Sequence, residues 1–260
     1  MGLLLLGDIK ERNYKTMIPK VIHYCWFGGN PIPKEYKKYI ESWKRFLPDY
    51  EIKEWNENNY DVHCIPFSKE SYEVKKFAYV SDYARLKILY ENGGVYFDTD
   101  VELIKSIDDI LQKGPFLAFE KHTKGREEDK KLVNVGLGFA CEKGNPIIKE
   151  IMDYYEHNHY ILPDGTVKQI PIVYITTEVL QEHGLVASES PLEVDGGFTV
   201  YPWEYFCPME YLSSKIEVTE NTRTIHHYTA TWMSWSDKLK MKKGYISRKI
   251  KSLFGKYDNK

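Results

Sequence analysis

The segment Asp98-Thr99-Asp100 carries the sharpest chemical signal in the chain. It follows directly on Val95-Tyr96-Phe97, β-branched and aromatic residues that read as a short buried strand. On an extended segment, residues two apart point to the same side, so two carboxylates would converge at a strand's carboxyl end. Like charges held together require a cation between them, and oxygen ligands favour Mg²⁺ or Mn²⁺ shared with a diphosphate. A turn or a helix cap is the plainer reading of the same three residues. Asp82 and Arg85, three apart, share a helix face just upstream. They read either as an intrahelical ion pair, worth at most about 0.5 kcal/mol, or as an acceptor and a donor fork for sugar hydroxyls. Toward the other end, His226 and His227 stand side by side. Adjacent histidines rarely chelate together, so one of them at most would complete the cation's shell.

The elements that must position these residues alternate in type. Residues 21–27 (VIHYCWF) read as a buried strand ended by Gly28-Gly29 and a Pro-rich loop. Residues 35–46 have a helical pattern that breaks at Pro48, and residues 50–55 form a second strand. Across residues 69–92, Val74, Phe77, Ala78, Ala84, Ile88 and Leu89 fall at helical spacing, with Ser81 placed to cap a second segment. Gly93-Gly94 stops that helix before the strand at 95–97. Strand, helix, strand, helix, strand predicts an α/β sheet with its ligand site at the carboxyl ends of the strands. Beyond it come a charged loop (122–131), a strand (133–141) and a helix from Pro146 to about Tyr155. From there to Ile225 the signals are short and mixed.

The whole chain has 260 residues, 36 Lys+Arg against 38 Asp+Glu, and 42% hydrophobic residues, which excludes a largely disordered polymer and fits one α/β domain. Four cysteines stand far apart with no C-x-x-C spacing, which argues against a disulfide framework or zinc knuckle and for a reducing cytoplasm. The 21 Tyr and 6 Trp suit a carbohydrate or nucleotide cleft as well as plain core packing. Residues 1–16 read as an N-terminal extension before Met17, and their apolar run, Leu3 to Leu6, is too short for a signal peptide or a bilayer span. Residues 17–236 would be the domain. Residues 237–260 form a basic tail with nine Lys/Arg and two acids, +7 locally, leaving −9 for the rest of a chain whose formal charge is −2. Its Leu239, Ile246, Ile250, Leu253 and Phe254 share one helical face. The tail reads as a solvated helix or as a helix lying on an anionic membrane surface, where each basic residue contributes about 1 kcal/mol. Nucleic acid is a poor partner for an otherwise acidic chain without a recognised module.

Four ordered blocks carry a family resemblance: IPKVIHYCWFGG, SDYARLKILYENGGVYFDTD, NVGLGFACEKGNP and HHYTATW. Together they resemble glycosyltransferase family 32, with the bacterial capsular polysaccharide enzymes as the nearest type, over roughly residues 17–235. The resemblance implies a GT-A fold, one Rossmann-like domain with a mixed central sheet that binds a nucleotide-sugar with Mn²⁺ or Mg²⁺. It implies that Trp26 stacks on the nucleobase and that Asp82 and Arg85 hold the donor sugar. Asp98 would contact ribose, sugar or metal-bound water, and Asp100 the metal directly. One of His226 and His227 would be a further metal ligand, with His227 favoured by counting back from Trp232. Thr231 and Trp232 would close over the diphosphate, Thr standing where the family has Ser. Asn134 would lie near donor or acceptor. The expected reaction is retaining transfer of a sugar, most simply from a UDP-sugar, to a saccharide or lipid-linked oligosaccharide in capsule synthesis, at the inner face of the membrane. A toxin-like protein-modifying transferase and a non-catalytic carbohydrate-binding protein are the rivals. A two-metal phosphoesterase would need a larger Asp/Glu/His cluster than these blocks supply.

Overall fold

A computed structural model describes residues 17–121, 131–168, 170–211 and 213–229. The extension at 1–16, the tail at 237–260, and Thr231 and Trp232 lie outside the described residues. In chain order the strands are β1 (Val21–Cys25), β2 (Glu51–Trp55), β3 (Gly94–Tyr96), β4 (Val101–Leu103), β5 (Phe116–Ala118), β6 (Phe139–Cys141), β7 (Leu192–Glu193), β8 (Thr199–Tyr201) and β9 (Thr224–His226). The helices are α1 (Lys34–Phe46), α2 (Pro66–Glu73), α3 (Phe77–Asn92), α4 (Asp108–Leu111), α5 (Pro146–Glu156), α6 (Ile172–Glu182) and α7 (Trp203–Phe206). Seven strands form one sheet in the order β2-β1-β3-β6-β5-β8-β7, and β4 pairs with β9 in a separate two-stranded ladder. β1 runs parallel to β2 and β3, whereas β6 is antiparallel to both β3 and β5. The expected α/β class with a mixed central sheet is therefore what the chain adopts.

Strand alternation divides the core between the two faces of the sheet. Val95, Phe97, Phe116 and Ala140 join Trp43, Tyr201 and Phe206 on one face. Tyr96, Leu117, Phe139 and Cys141 join Leu86, Leu89, Ile147 and Ile151 of α3 and α5 on the other. Fully buried Trp43 also donates its indole N–H to Val101 O (2.8 Å), and Ser42 Oγ accepts from Leu103 N (2.9 Å). Those two bonds fix β4 against α1, and with it the turn that carries Asp98 and Asp100.

Several boundaries differ from the sequence reading. β1 ends at Cys25, so Trp26 and Phe27 belong to the loop at its carboxyl end, where Gly28 and Gly29 take φ of 100° and 67°. The helical stretch at 69–92 is two helices that break at Val74 to Lys76, with Lys75 at φ 58°. Ser81 caps nothing; it lies inside α3 and returns its hydroxyl to Phe77 O, as mid-helix serines do. The strand at 133–141 shrinks to β6, because Asn134 caps a 3₁₀ turn over Val135–Leu137 and Gly138 takes φ 118°. α6, rich in Val, Ile and Thr, gives no clear helical signal in isolation; packing against α5 decides its conformation. All four cysteines are free thiols. Among the described residues no helix is long and apolar enough to cross a membrane.

Candidate active site

Asp98 and Asp100 do converge, by a route other than extended alternation. β3 stops at Tyr96, and Val101 N donates to Asp98 O (3.0 Å), closing a tight turn over residues 98–101. The turn leads into β4, whose Val101 is paired with His226 of β9. That register sets His226 Nε2 3.0 Å from Asp100 Oδ1. The other oxygen, Oδ2, accepts from both Thr229 N and Thr229 Oγ1, each at 2.9 Å, while Tyr36 OH donates to the same Thr229 Oγ1 (2.9 Å). Potential ligand atoms of Asp98, Asp100 and His226 all lie within 4.8 Å of one another. His227 does not join them. Its Nε2 lies 2.9 Å from Glu102 Oε2, and its ring stacks on Tyr39 at 4.4 Å. Neighbouring residues at a strand end face opposite sides, so one histidine of the pair can reach the acids, and the register makes it His226.

The Asp82–Arg85 pair is not a surface ion pair. Arg85 is 5% exposed, and its Nη2 lies 3.1 Å from Asp82 Oδ1 and 3.3 Å from Asp98 Oδ1. Its guanidinium therefore bridges α3 to the turn after β3, over the ring of Tyr96 at 5.2 Å. Tyr96 OH donates to Asp98 Oδ1 as well (2.9 Å). Gly136 completes this corner: a Cβ there would meet Asp98 Oδ2 at 2.5 Å, so the NVGLG segment must pass bare against the carboxylate. Asn134 Oδ1 accepts from Gly136 N (2.7 Å), leaving its amide N–H groups for the cavity.

The charges pull in different directions. Burial pushes the Asp82 carboxyl up to about 6, with Arg85 opposing and Asp98 adding to the rise. Burial likewise raises Asp98 against the pull of Arg85, and Asp100 adds to it. In Asp100 burial is outweighed by His226 and the two Thr229 donors, which hold it well below the usual carboxylate range. His226 is raised in turn, because Asp100 and Asp98 outweigh its burial. Two carboxylates and an imidazole form a donor set suited to a divalent cation of the Mn²⁺ or Mg²⁺ kind, with the imidazole tilting the set toward the former. Among the described residues the buried Nδ1 of His226 has no hydrogen-bond partner, while Nε2 is engaged by Asp100.

Trp26, Asp82, Arg85, Asp98, Asp100, Asn134 and His226 all line one cavity of about 760 Å³ at the carboxyl ends of β1 and β3. Trp26 is held there by its indole bond to Asn30 O (2.6 Å) and by Tyr36, 5.7 Å from ring to ring. Sequence reasoning missed Thr229, Gly136 and Glu120. Glu120 lines the cavity too and accepts from Tyr228 OH (2.9 Å). Thr229 and Gly136 both lie within blocks already singled out, but only the fold shows what they touch. Glu120 has no local motif around it.

The mixed α/β sheet gathers paired acids, a buried arginine and an aromatic at its strand ends, the place where open α/β sheets take their ligands. Residues 33–117 match the family described as a glycosyltransferase sugar-binding region containing a DXD motif. Inositol phosphoceramide mannosyltransferase 1 of Schizosaccharomyces pombe is 33% identical over 111 residues, covering 38% of this chain and 33% of the relative. Subversion of eukaryotic traffic protein A of Legionella pneumophila is 24% identical over 185 residues, covering 61% of this chain and 28% of the relative. The chain thus spans about a third of the length of these curated relatives. Among solved structures, PaToxG glycosyltransferase has 20% identity, 64% coverage of this chain and 69% of that chain, and a TM-score of 0.45.

Proposed function

We propose that this chain is a GT-A-type, metal-dependent, retaining glycosyltransferase that moves a sugar from a nucleotide-sugar to a saccharide or lipid-linked oligosaccharide acceptor. The observation that carries the reading is the meeting of Asp98, Asp100 and His226 at the wall of a cavity that also holds Trp26, Asp82 and Arg85. The DXD family match over residues 33–117 supports it.

In this reading Trp26 stacks on the base, and Asp82 with Arg85 positions the donor sugar by an acceptor and a fixed donor fork. Asp98, Asp100 and His226 hold the cation, Mn²⁺ or Mg²⁺. When bound, the cation offsets the negative charge that builds on the departing diphosphate. Thr229 clamps Asp100 through two hydrogen bonds, so the carboxylate enters the reaction already oriented. Arg85 holds Asp98 through one charged contact at 3.3 Å. Asn134 offers its amide N–H groups to donor or acceptor. Thr231 and Trp232, outside the described residues, are assigned to the diphosphate by the family resemblance alone. The acceptor hydroxyl attacks on the face the diphosphate leaves, which retains configuration; a covalent glycosyl-enzyme on the reaction path would contradict that step.

Residues 17–236 make up the catalytic domain in this account, 1–16 an extension, and 237–260 a tail that attaches the enzyme to an anionic cytoplasmic membrane face in surface polysaccharide synthesis. Deleting 237–260 should abolish cosedimentation with anionic vesicles, and unchanged binding would remove the membrane role. The base is taken as uracil, while mannosyltransferases among the relatives make a mannosyl donor the competing choice. The test is release of nucleoside diphosphate from UDP- and GDP-sugars with Mn²⁺ or with EDTA. Release that needs the metal and is lost in Asp100→Asn supports the reading. A folded protein that turns over no donor contradicts it and favours a binding protein.

A further inference from the structure

Lys75 occupies a position that the backbone reserves for glycine. α2 ends in a Schellman arrangement, with Lys76 N donating to Ser71 O (2.8 Å) and Lys75 N to Tyr72 O (2.9 Å). The residue between these bonds must be left-handed, and Lys75 has φ 58°. Glycine enters that conformation freely, whereas a residue with a Cβ pays steric strain. Among the described residues only Lys75, Ser214 and Tyr228 are non-glycine at positive φ, and Lys75 and Tyr228 line the same cavity.

The side chain gives the reason for tolerating that cost. Among the described residues the cavity is lined by Asp82, Asp98, Asp100 and Glu120, with Arg85 and Lys75 as the only lysine or arginine. Arg85 is already engaged by Asp82 and Asp98. Lys75 is exposed, two residues before the start of α3, and lines the cavity together with Phe77, Trp26 and Asn30. Among the described residues its ammonium has no ion pair. An anionic ligand entering this acidic cleft meets repulsion that an exposed cation at the wall counters.

We infer that Lys75 is a binding residue for the anionic nucleotide portion of the donor, kept in a strained backbone position for that purpose. The inference rests on the nucleotide-sugar reading above. It separates stability from binding: the best residue for the fold is not the best residue for the ligand.

Calorimetric binding of UDP and of GDP in the presence of Mn²⁺ tests it on the full chain. Lys75→Gly should raise the melting temperature by about 2–4 °C and weaken nucleoside diphosphate binding about tenfold. Lys75→Met, which keeps the strain and removes the charge, should weaken binding equally without raising the melting temperature, and Lys75→Arg should keep most of the affinity. Tight binding by wild type and by Lys75→Met alike would overturn the role of Lys75 while leaving the nucleotide site standing. Absence of binding in the folded wild type would overturn both.

Discussion

His226 Nε2 sits 3.0 Å from Oδ1 of Asp100, and through this contact β9 closes onto the turn that follows β3. The pairing of Val101 with His226 is what brings the histidine there. His227, one residue on, is committed to Glu102 and Tyr39 instead. The two histidines should therefore separate cleanly on mutation. His226→Ala should remove Mn²⁺-dependent nucleotide binding, whereas His227→Ala should keep it and lose only about 1 kcal/mol of stability from one hydrogen bond and one stacked ring. Titration of Mn²⁺ by its spin-resonance signal, in the presence of nucleoside diphosphate, reads the difference. Equal loss in both variants would refute the assignment.

Arg85 is the buried countercharge of Asp82 and Asp98. Removing it leaves two desolvated carboxylates, so Arg85→Ala should cost about 3–5 kcal/mol of stability by urea unfolding. Asp82→Asn should cost much less, because Arg85 then keeps Asp98. A loss below 1 kcal/mol for Arg85→Ala would mean that water reaches this corner freely.

Gly136 makes a prediction about the site rather than the fold. An added Cβ would press on Asp98 Oδ2 and, at 3.3 Å, on Arg85 Nη1. Gly136→Ala should stay folded and lose at least about tenfold in activity by displacing the carboxylate, as small misplacements do. Activity within twofold of wild type would show that Asp98 is not held where the reaction needs it.

His23 couples the sheet to pH. It is 2% exposed, takes a hydrogen bond from Trp55 Nε1 on Nδ1 (3.0 Å) and lies 3.1 Å from Gly93 O through Nε2, an arrangement that requires the neutral ring. Burial lowers its pKa to about 4, with Lys53 contributing and the Gly93 carbonyl opposing. The unfolded chain takes up that proton near pH ~6.5. Stability from this group is thus full above about pH 6.5, falls as pH drops toward 4, and levels off below, for a total of about 3 kcal/mol. In His23→Gln the slope of unfolding free energy between pH 4 and 6.5 should flatten relative to wild type. Identical slopes would contradict the account.

Much of this was legible in the order of residues. Gly93-Gly94 and the acids after it mark the strand end, and the spacing of Asp82 and Arg85 puts both on one face of α3. What could not be read was tertiary. Three-residue strands such as β4, β5 and β9 carry too little pattern to stand out, yet the β4–β9 ladder decides which histidine meets Asp100. The two acids converge, but through a tight turn and not through the alternation of an extended strand. Trp26 moved from strand to loop because β1 ended two residues early, and that move places its ring in the cavity.

The central claim is that Asp98, Asp100 and His226 bind a cation that holds a nucleoside diphosphate. Thermal stability of the full chain with UDP, GDP or CDP, each with Mn²⁺ or with EDTA, tests it most directly. A ligand at 100 times its dissociation constant adds about 2.7 kcal/mol. The account predicts a rise in melting temperature with one of these nucleotides that needs Mn²⁺ and vanishes in Asp100→Asn. Folded protein that shows no metal-dependent rise with any of them would contradict it.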